Sequence, residues 1–262
     1  MNIKNVLETI LKDGFILVFN KDQLDVVKTA EALKSAGINN MEVTCRISKP
    51  LDKVRLVCEE VSGFKVGVAS LIDSPEILRS YNKSHPEDPL PSVDEAVDAG
   101  AGFLVSAGNF RKETYEKYAG KIPLIPGCGT VSEILKQFSL GANLAKVFPA
   151  RQLGGPGFVK AIDSAIHKTI SLVPTGGTRP DNIPDYIDAG VLVVGGSFSA
   201  VESEAIDRAA TDGDYETLEE KFASIKSLID ECRRKRWPGL DLGSVELDRI
   251  MKVTGRDFNV EY

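Results

Sequence analysis

Short β-rich runs and amphipathic helical stretches alternate along most of these 262 residues, and this rhythm restricts the fold more than any other feature. Runs at 15–19, 41–47, 64–71, 102–106, 122–125, 144–148, 171–173 and 191–194 read as strands. Between them, segments such as 22–36, 52–61, 132–140 and 156–167 carry apolar residues at helical spacing. Several helical stretches stop at a glycine suited to a helix end: Gly37, Gly63, Gly100, Gly141 and Gly190. Strands separated by helices pair in parallel, and eight such units are the number that closes a barrel. The expected fold is therefore an α/β (β/α)8 TIM barrel. An open doubly wound sheet is the competing arrangement, but no Gly-x-Gly-x-x-Gly opens a helix after a strand.

The division expected is a barrel over 1–212, with an insertion near 74–90, and a C-terminal helix and extension over 213–262 packed on it. No apolar run approaches the roughly 18 residues a bilayer span needs, and Met1-Asn2-Ile3-Lys4-Asn5 lacks an apolar signal core, so a cytoplasmic protein with no membrane partner is expected. The net charge of −6 argues against a nucleic-acid partner. The basic run Arg233-Arg234-Lys235-Arg236 is expected to be the solvated end of a helix starting near Tyr215. Cys45, Cys58, Cys128 and Cys232 lack metal-binding or redox spacing and read as reduced residues. With only two histidines, His85 and His167, a multi-histidine zinc site is not expected, although a carboxylate-held magnesium stays open.

One lysine stands out within this pattern. Asn143-Leu144-Ala145-Lys146-Val147-Phe148-Pro149-Ala150 places an amine in an apolar strand, where loss of hydration penalises the ammonium and favours the free base that attacks a carbonyl. Schiff-base chemistry at Lys146 is the expectation. On the second strand, Glu42, Thr44 and Arg46 alternate onto one face, an expensive arrangement for a buried strand unless that face lines a site. Pro174-Thr175-Gly176-Gly177 and Gly195-Gly196-Ser197 follow the last two strands. As turns at the C-terminal end of a barrel they would offer backbone N–H groups to a phosphate.

Taken in order, Glu42-Val43-Thr44-Cys45-Arg46, Ile122-Pro123-Leu124-Ile125-Pro126-Gly127, Lys146-Val147-Phe148-Pro149-Ala150, Pro174-Thr175-Gly176-Gly177 and Val194-Gly195-Gly196-Ser197 resemble the 2-keto-3-deoxy-6-phosphogluconate (KDPG) and 4-hydroxy-2-oxoglutarate (KHG) aldolases over roughly residues 5–210. The resemblance implies a homotrimeric class I aldolase that acts on a small 2-keto acid and a phosphorylated aldehyde; no cofactor or metal is expected. It implies Lys146 as the Schiff-base lysine and Glu42 as general acid and base. It implies Arg46, Thr44, Ser70, Ser106, Phe148 and Thr175 as substrate contacts, and Gly176, Gly177, Gly195, Gly196 and Ser197 as the phosphate cradle. KDPG is the expected substrate; unphosphorylated KHG and a non-catalytic phosphosugar-binding barrel are the alternatives.

The chain departs from the family pattern in places. Ala69-Ser70 stands where Gly-Thr is usual, Ser106-Ala107-Gly108 replaces Ser-Pro-Gly, and Val18-Phe19-Asn20 lacks the frequent proline and arginine. Residues 74–90, with Pro75, Pro86 and Pro89, are inserted where the family is short. This segment reads as a loop that either decorates the surface or reaches over the substrate, with Arg79, Lys83 and His85 as its candidate contacts to substrate or to a neighbouring subunit.

Overall fold

The computed structural model describes residues 2–201, 203–243 and 246–261. Helix α1 (Ile3–Asp13) leads into strand β1 (Phe15–Phe19), followed by α2 (Val26–Ser35), β2 (Asn40–Thr44), α3 (Pro50–Glu60) and β3 (Lys65–Leu71). Two helices, α4 (Pro75–Ser84) and α5 (Val93–Asp98), precede β4 (Leu104–Ser106), and α6 (Lys112–Tyr118) precedes the short strands β5 (Leu124–Ile125) and β6 (Gly127–Cys128). Then come α7 (Val131–Ser139), β7 (Ala145–Val147), α8 (Gly155–Ala165), β8 (Leu172–Pro174), α9 (Ile183–Asp188) and β9 (Val194–Ser197). A 3₁₀ turn (Phe198–Ala200) and helices α10 (Ser203–Thr211), α11 (Glu216–Arg236) and α12 (Leu247–Thr254) complete the order.

The strand sequences fit burial on both faces. All five residues of β1 are buried apolar side chains, as a parallel sheet covered by helices requires. Turn chemistry punctuates the units: Asp25 accepts hydrogen bonds from the N–H groups of Val27 and Lys28 at the start of α2. Gly37, Gly63, Gly100, Gly141 and Gly190 all hold positive φ where the sequence places helix stops.

All pairings are parallel. Six strands run in the order β5-β4-β3-β2-β1-β9 and three in the order β6-β7-β8. The two sheets share one stretch of chain, because Pro126, lacking an N–H, separates β5 from β6. This is why nine short strands stand where eight were expected. At the other end a parallel bridge between Thr175 and Gly195 joins β8 to β9, so the sheet curls back on itself. The last strand lies later than expected: Gly195, Gly196 and Ser197 pair with Ile16, Leu17 and Val18 of β1 and belong to β9, not to a turn after it. Gly195 is required there, since a Cβ would fall 2.2 Å from the Thr175 hydroxyl oxygen.

The C-terminal segment makes specific contacts with the strands and helices before it. Leu218, Phe222, Ile225 and Ile229 form the buried stripe of α11, which lies against α2 and α9. Arg233 continues that stripe and corrects the reading of the basic run as wholly solvated. It is fully buried and donates to the carbonyls of Leu11 and Lys12 at the C-terminal end of α1. Burial brings its guanidinium down to about 10. Further on, Arg256 is buried against Asp163, and Asn143 donates to the Phe258 carbonyl at 2.7 Å. No helix among the described residues is long and apolar enough to cross a membrane.

Candidate active site

Strands β2 and β7 face each other across the curled sheet. Following the pairing order, β2 is reached from β7 through β8, β9 and β1 in one direction and through β5–β6, β4 and β3 in the other. Glu42, third residue of β2, and Lys146, middle residue of β7, project into the space between them. Lys146 Nζ lies 2.9 Å from Glu42 Oε1, with the lysine 5% and the glutamate 3% exposed. The pair makes no other side-chain hydrogen bond to a described residue, so two ammonium protons and one carboxylate oxygen are left for a ligand. The Phe148 ring centroid is 5.6 Å from Nζ and gives the cation an aromatic face.

This pair lies at the base of a cleft of about 690 Å³, within the usual range for small-molecule sites. Phe148, Thr175, Arg46, Ser70 and Ser106 line it as well. Arg46 lies beyond the end of β2, exposed and with no ion pair or hydrogen bond to a described residue. Ser70 holds a positive φ of 61° where the pairing of β3 with β4 shifts register, a strained conformation of the kind found at binding sites. Its hydroxyl has no protein partner among the described residues. The Ser106 hydroxyl donates to the Leu71 carbonyl (2.9 Å) and accepts from the Gly108 N–H (3.0 Å), which fixes the end of β4 beside β3. Thr175 Oγ1 donates weakly to the Val173 carbonyl at 3.3 Å. Cys45 also lines the cleft, but burial pushes its thiol up to about 12, so it is not a thiolate nucleophile at neutral pH.

Other expected site residues lie elsewhere. Thr44 is fully buried, does not line the cleft, and its hydroxyl has no hydrogen-bond partner among the described residues. Gly176 (φ 93°) and Gly177 (φ 81°) form a tight turn whose two N–H groups donate to no described residue, but this turn too is outside the cleft lining. Gly195 and Gly196 are strand residues packed on Thr175 and Phe15. Ser197 caps the 3₁₀ turn, accepting from Ser199 N–H at 3.4 Å and sharing a 3.0 Å hydrogen bond with the Ser199 hydroxyl. Arg151, not singled out from the sequence, runs its stem over Gly177: a Cβ there would meet Arg151 Cβ at 2.6 Å.

The insertion was misread as a loop. Residues 75–84 form α4, and the side chains that reach the cleft are Ile77 and Tyr81 from the helix and Asp88 and Leu90 from the returning limb. Arg79, Lys83 and His85 do not line it: Arg79 pairs with Glu76 at 3.7 Å, and His85 stacks on Tyr81. Ser74-Pro75-Glu76 carries the signal that was missed, an N-cap serine, a proline in the first turn and an early acidic residue.

Comparison with known proteins shows what the chain is similar to. The family model for KDPG and KHG aldolase matches residues 89–218. A 2-dehydro-3-deoxy-phosphogluconate aldolase of Dickeya dadantii (strain 3937) is 33% identical over 221 residues, covering 83% of this chain and 93% of the relative. The KHG/KDPG aldolase of Escherichia coli (strain K12) is 30% identical over 220 residues, with the same two coverages of 83% and 93%. The chain belongs to the KDPG/KHG aldolase family. It is accordingly an aldolase, a carbon–carbon lyase. Among solved structures, a KDPG aldolase from Legionella pneumophila with pyruvate captured as a covalent carbinolamine superposes with a TM-score of 0.67 at 27% identity, covering 84% of this chain and 97% of that one. That neighbour shares the α/β fold with its curled parallel sheet. Among the described residues, no three His, Cys, Asp or Glu side chains converge as a metal site.

Proposed function

We propose that this aldolase cleaves KDPG to pyruvate and glyceraldehyde 3-phosphate through a Schiff base on Lys146. The observation that carries the reading is the buried 2.9 Å contact between Lys146 and Glu42 at the base of the cleft. Lys146 passes one ammonium proton to Glu42, the free amine adds to the C2 carbonyl to give a carbinolamine, and Glu42 returns that proton to the departing hydroxyl, so that loss of water gives the iminium and leaves Glu42 ionised. Glu42, directly or through a water, takes the proton from the C4 hydroxyl. The C3–C4 bond then breaks, its electron pair enters the iminium to form an enamine, and the aldehyde departs. Glu42 returns the proton to C3, and water releases pyruvate and the free amine. The capture of pyruvate as a carbinolamine in the Legionella relative supports the same covalent route here.

The remaining residues take positions consistent with this sequence of steps. Arg46, unpaired at the cleft side, suits the pyruvyl carboxylate, with the Ser70 hydroxyl as a second donor. Phe148 packs beside the pyruvyl methyl group, and Thr175 lies near the substrate hydroxyls; we keep Thr44 and Ser106 as supports of this wall. The free N–H groups of Gly176 and Gly177, the Ser197 hydroxyl and the Arg151 guanidinium suit the phosphate, while Gly195 and Gly196 keep the adjoining strand close by lacking side chains. On this reading the curled sheet is a closed (β/α)8 barrel with residues 213–262 packed on it as a C-terminal helix and extension, the enzyme is homotrimeric by family resemblance, and it is cytoplasmic.

The test is incubation with pyruvate, reduction with borohydride and mapping of the adduct. It is expected on Lys146 and absent in Lys146→Ala; an adduct confined to another lysine overturns the assignment. KDPG is expected to outperform KHG in kcat/KM, and inorganic phosphate to compete with it. A clear preference for KHG would replace the substrate.

A further inference from the structure

The Lys146–Glu42 contact divides the mouth of the curled sheet into two halves. Strands β8, β9 and β1 and the Gly176–Gly177 turn lie on one side; the ends of β3, β4 and β5–β6 lie on the other. Arg46 and Ser70, which suit a carboxylate, adjoin the second half. Helix α4 leaves the end of β3, so it also belongs there; the cleft lining includes α4, with only Val18 and Thr175 from the first half and none of residues 176, 177 or 195–197.

Helix α4 is assembled for this position. None of its residues is fully buried, Pro75, Leu78, Tyr81 and Asn82 being half-buried, and a ten-residue helix packed this lightly has little intrinsic stability. Local bonds hold it instead. Ser74 caps it through the Ile77 N–H at 3.4 Å, and Asn82 clamps the returning limb, donating to the Leu90 carbonyl (3.0 Å) and accepting the Leu90 N–H (2.8 Å). His85 stacks on Tyr81 at 4.1 Å and 12°, which restricts the tyrosine. Ile77 and Tyr81, one turn apart, then present an apolar edge to the cleft beside Leu90, with Ile77 left 56% exposed. An exposed isoleucine held over a cleft gains burial when the cleft fills.

We infer that Ile77, Tyr81 and Leu90 form a roof over the 2-oxo acid half of the site and set this enzyme's affinity for its donor. The inference rests on the Schiff-base reading of Lys146. The apolar roof excludes water from the contact between Arg46 and the donor carboxylate, and a charge-assisted pair is stronger in such surroundings. Asp88, an exposed carboxylate on the same limb, disfavours a second negative charge in this half. Asn82 acts as a positioning residue, since it touches the roof and not the cleft.

The experiment compares wild type with Ile77→Ser/Tyr81→Ser and with Asn82→Ala. Two quantities are read: the pyruvate concentration that half-saturates borohydride trapping on Lys146, and the KM for the aldehyde in the condensation direction. The double variant is expected to raise the first roughly threefold to tenfold, the scale of one or two partly buried side chains, and to leave the second within about twofold. Asn82→Ala is expected to move the first in the same direction, which keeps the test available if the double variant misfolds. Unchanged pyruvate dependence in folded variants overturns the inference. So does a shift confined to the aldehyde KM, which would put α4 on the other half, or a change confined to oligomeric state, which would make α4 a subunit contact. Absence of any Lys146 adduct in wild type instead refutes the Schiff-base reading itself.

Discussion

Glu42→Gln separates proton transfer from imine formation. Glutamine preserves the shape and can still accept the Lys146 hydrogen bond made at 2.9 Å, but it cannot take up a proton. The other acidic groups of the cleft offer no replacement. Asp73 is held by the Arg111 N–H at 2.7 Å and the Thr114 hydroxyl at 2.6 Å, and Asp88 lies out on the α4 limb. Cys45 keeps its proton, burial having raised its thiol to about 12. The loss should therefore span the full range for general acid–base catalysis, roughly 10²- to 10⁴-fold, or about 2.7–5.5 kcal/mol of barrier. The direct assay is exchange of the pyruvate methyl protons in D₂O, followed by NMR without any aldehyde, because it requires the imine and the base alone. Borohydride trapping on Lys146 should persist in the variant. Exchange within tenfold of wild type, with trapping intact, would refute the role of Glu42.

Two predictions concern stability. Asp13 is fully buried, and burial raises its carboxyl to about 6 from 3.8 despite hydrogen bonds from Asn39 and Asn40. The native state therefore holds more protons than the unfolded chain between about pH 3.8 and 6. Its contribution is greatest below that window, declines as pH rises through it by on the order of 3 kcal/mol, and is constant above. Urea unfolding of Asp13→Asn across pH 4–6 should lack this downward component; an unchanged slope relative to wild type would contradict it. Arg256→Met should destabilise by roughly 3–5 kcal/mol in urea unfolding by stranding buried Asp163, and adding Asp163→Leu should restore much of the loss. Equal stability of the single and double variants would dismiss the pair as the cause.

The repeating units were legible because burial on both faces writes apolar strands and glycine stops directly into the sequence. Lys146 and Glu42 were legible for a related reason: charged residues within apolar strands have few structural explanations. Elsewhere local signals misled. Pro126 within an apolar run gives no indication that pairing continues on both sides of it. The glycine pair after Val194 looks like a turn, and only the register against Ile16 and Leu17 makes it a strand. Three prolines between 74 and 90 suggested a loop, although Pro75 occupies the one helical position where proline is favourable. Arg233 in a run of four basic residues carries no mark of burial; its partners, the last carbonyls of α1, are more than two hundred positions away in sequence. The alternation that grouped Glu42, Thr44 and Arg46 held only in part: Glu42 and Arg46 both line the cleft and Thr44 does not, and Arg46 reaches it from the turn after β2, which ends at Thr44.

Two buried ion pairs in this chain are buried alike but differ in how fully their hydrogen bonds are satisfied, and this difference supports a reactive role for one and a structural role for the other. Arg256 makes two bonds to Asp163 and one each to the carbonyls of Ile170 and Gly190, so most of its donors are spent within the protein. Lys146 and Glu42 are buried to a similar degree yet share a single bond. Both pairs incur desolvation, but only the first recovers it through protein contacts. The second is left with unused donors and an unused acceptor directed at a cleft, where a substrate carbonyl, hydroxyl or water would complete it. That incompleteness is costly in the empty enzyme, and on the proposed mechanism it is relieved by the atoms of the reaction, which requires the strands on either side to hold the pair in place without them.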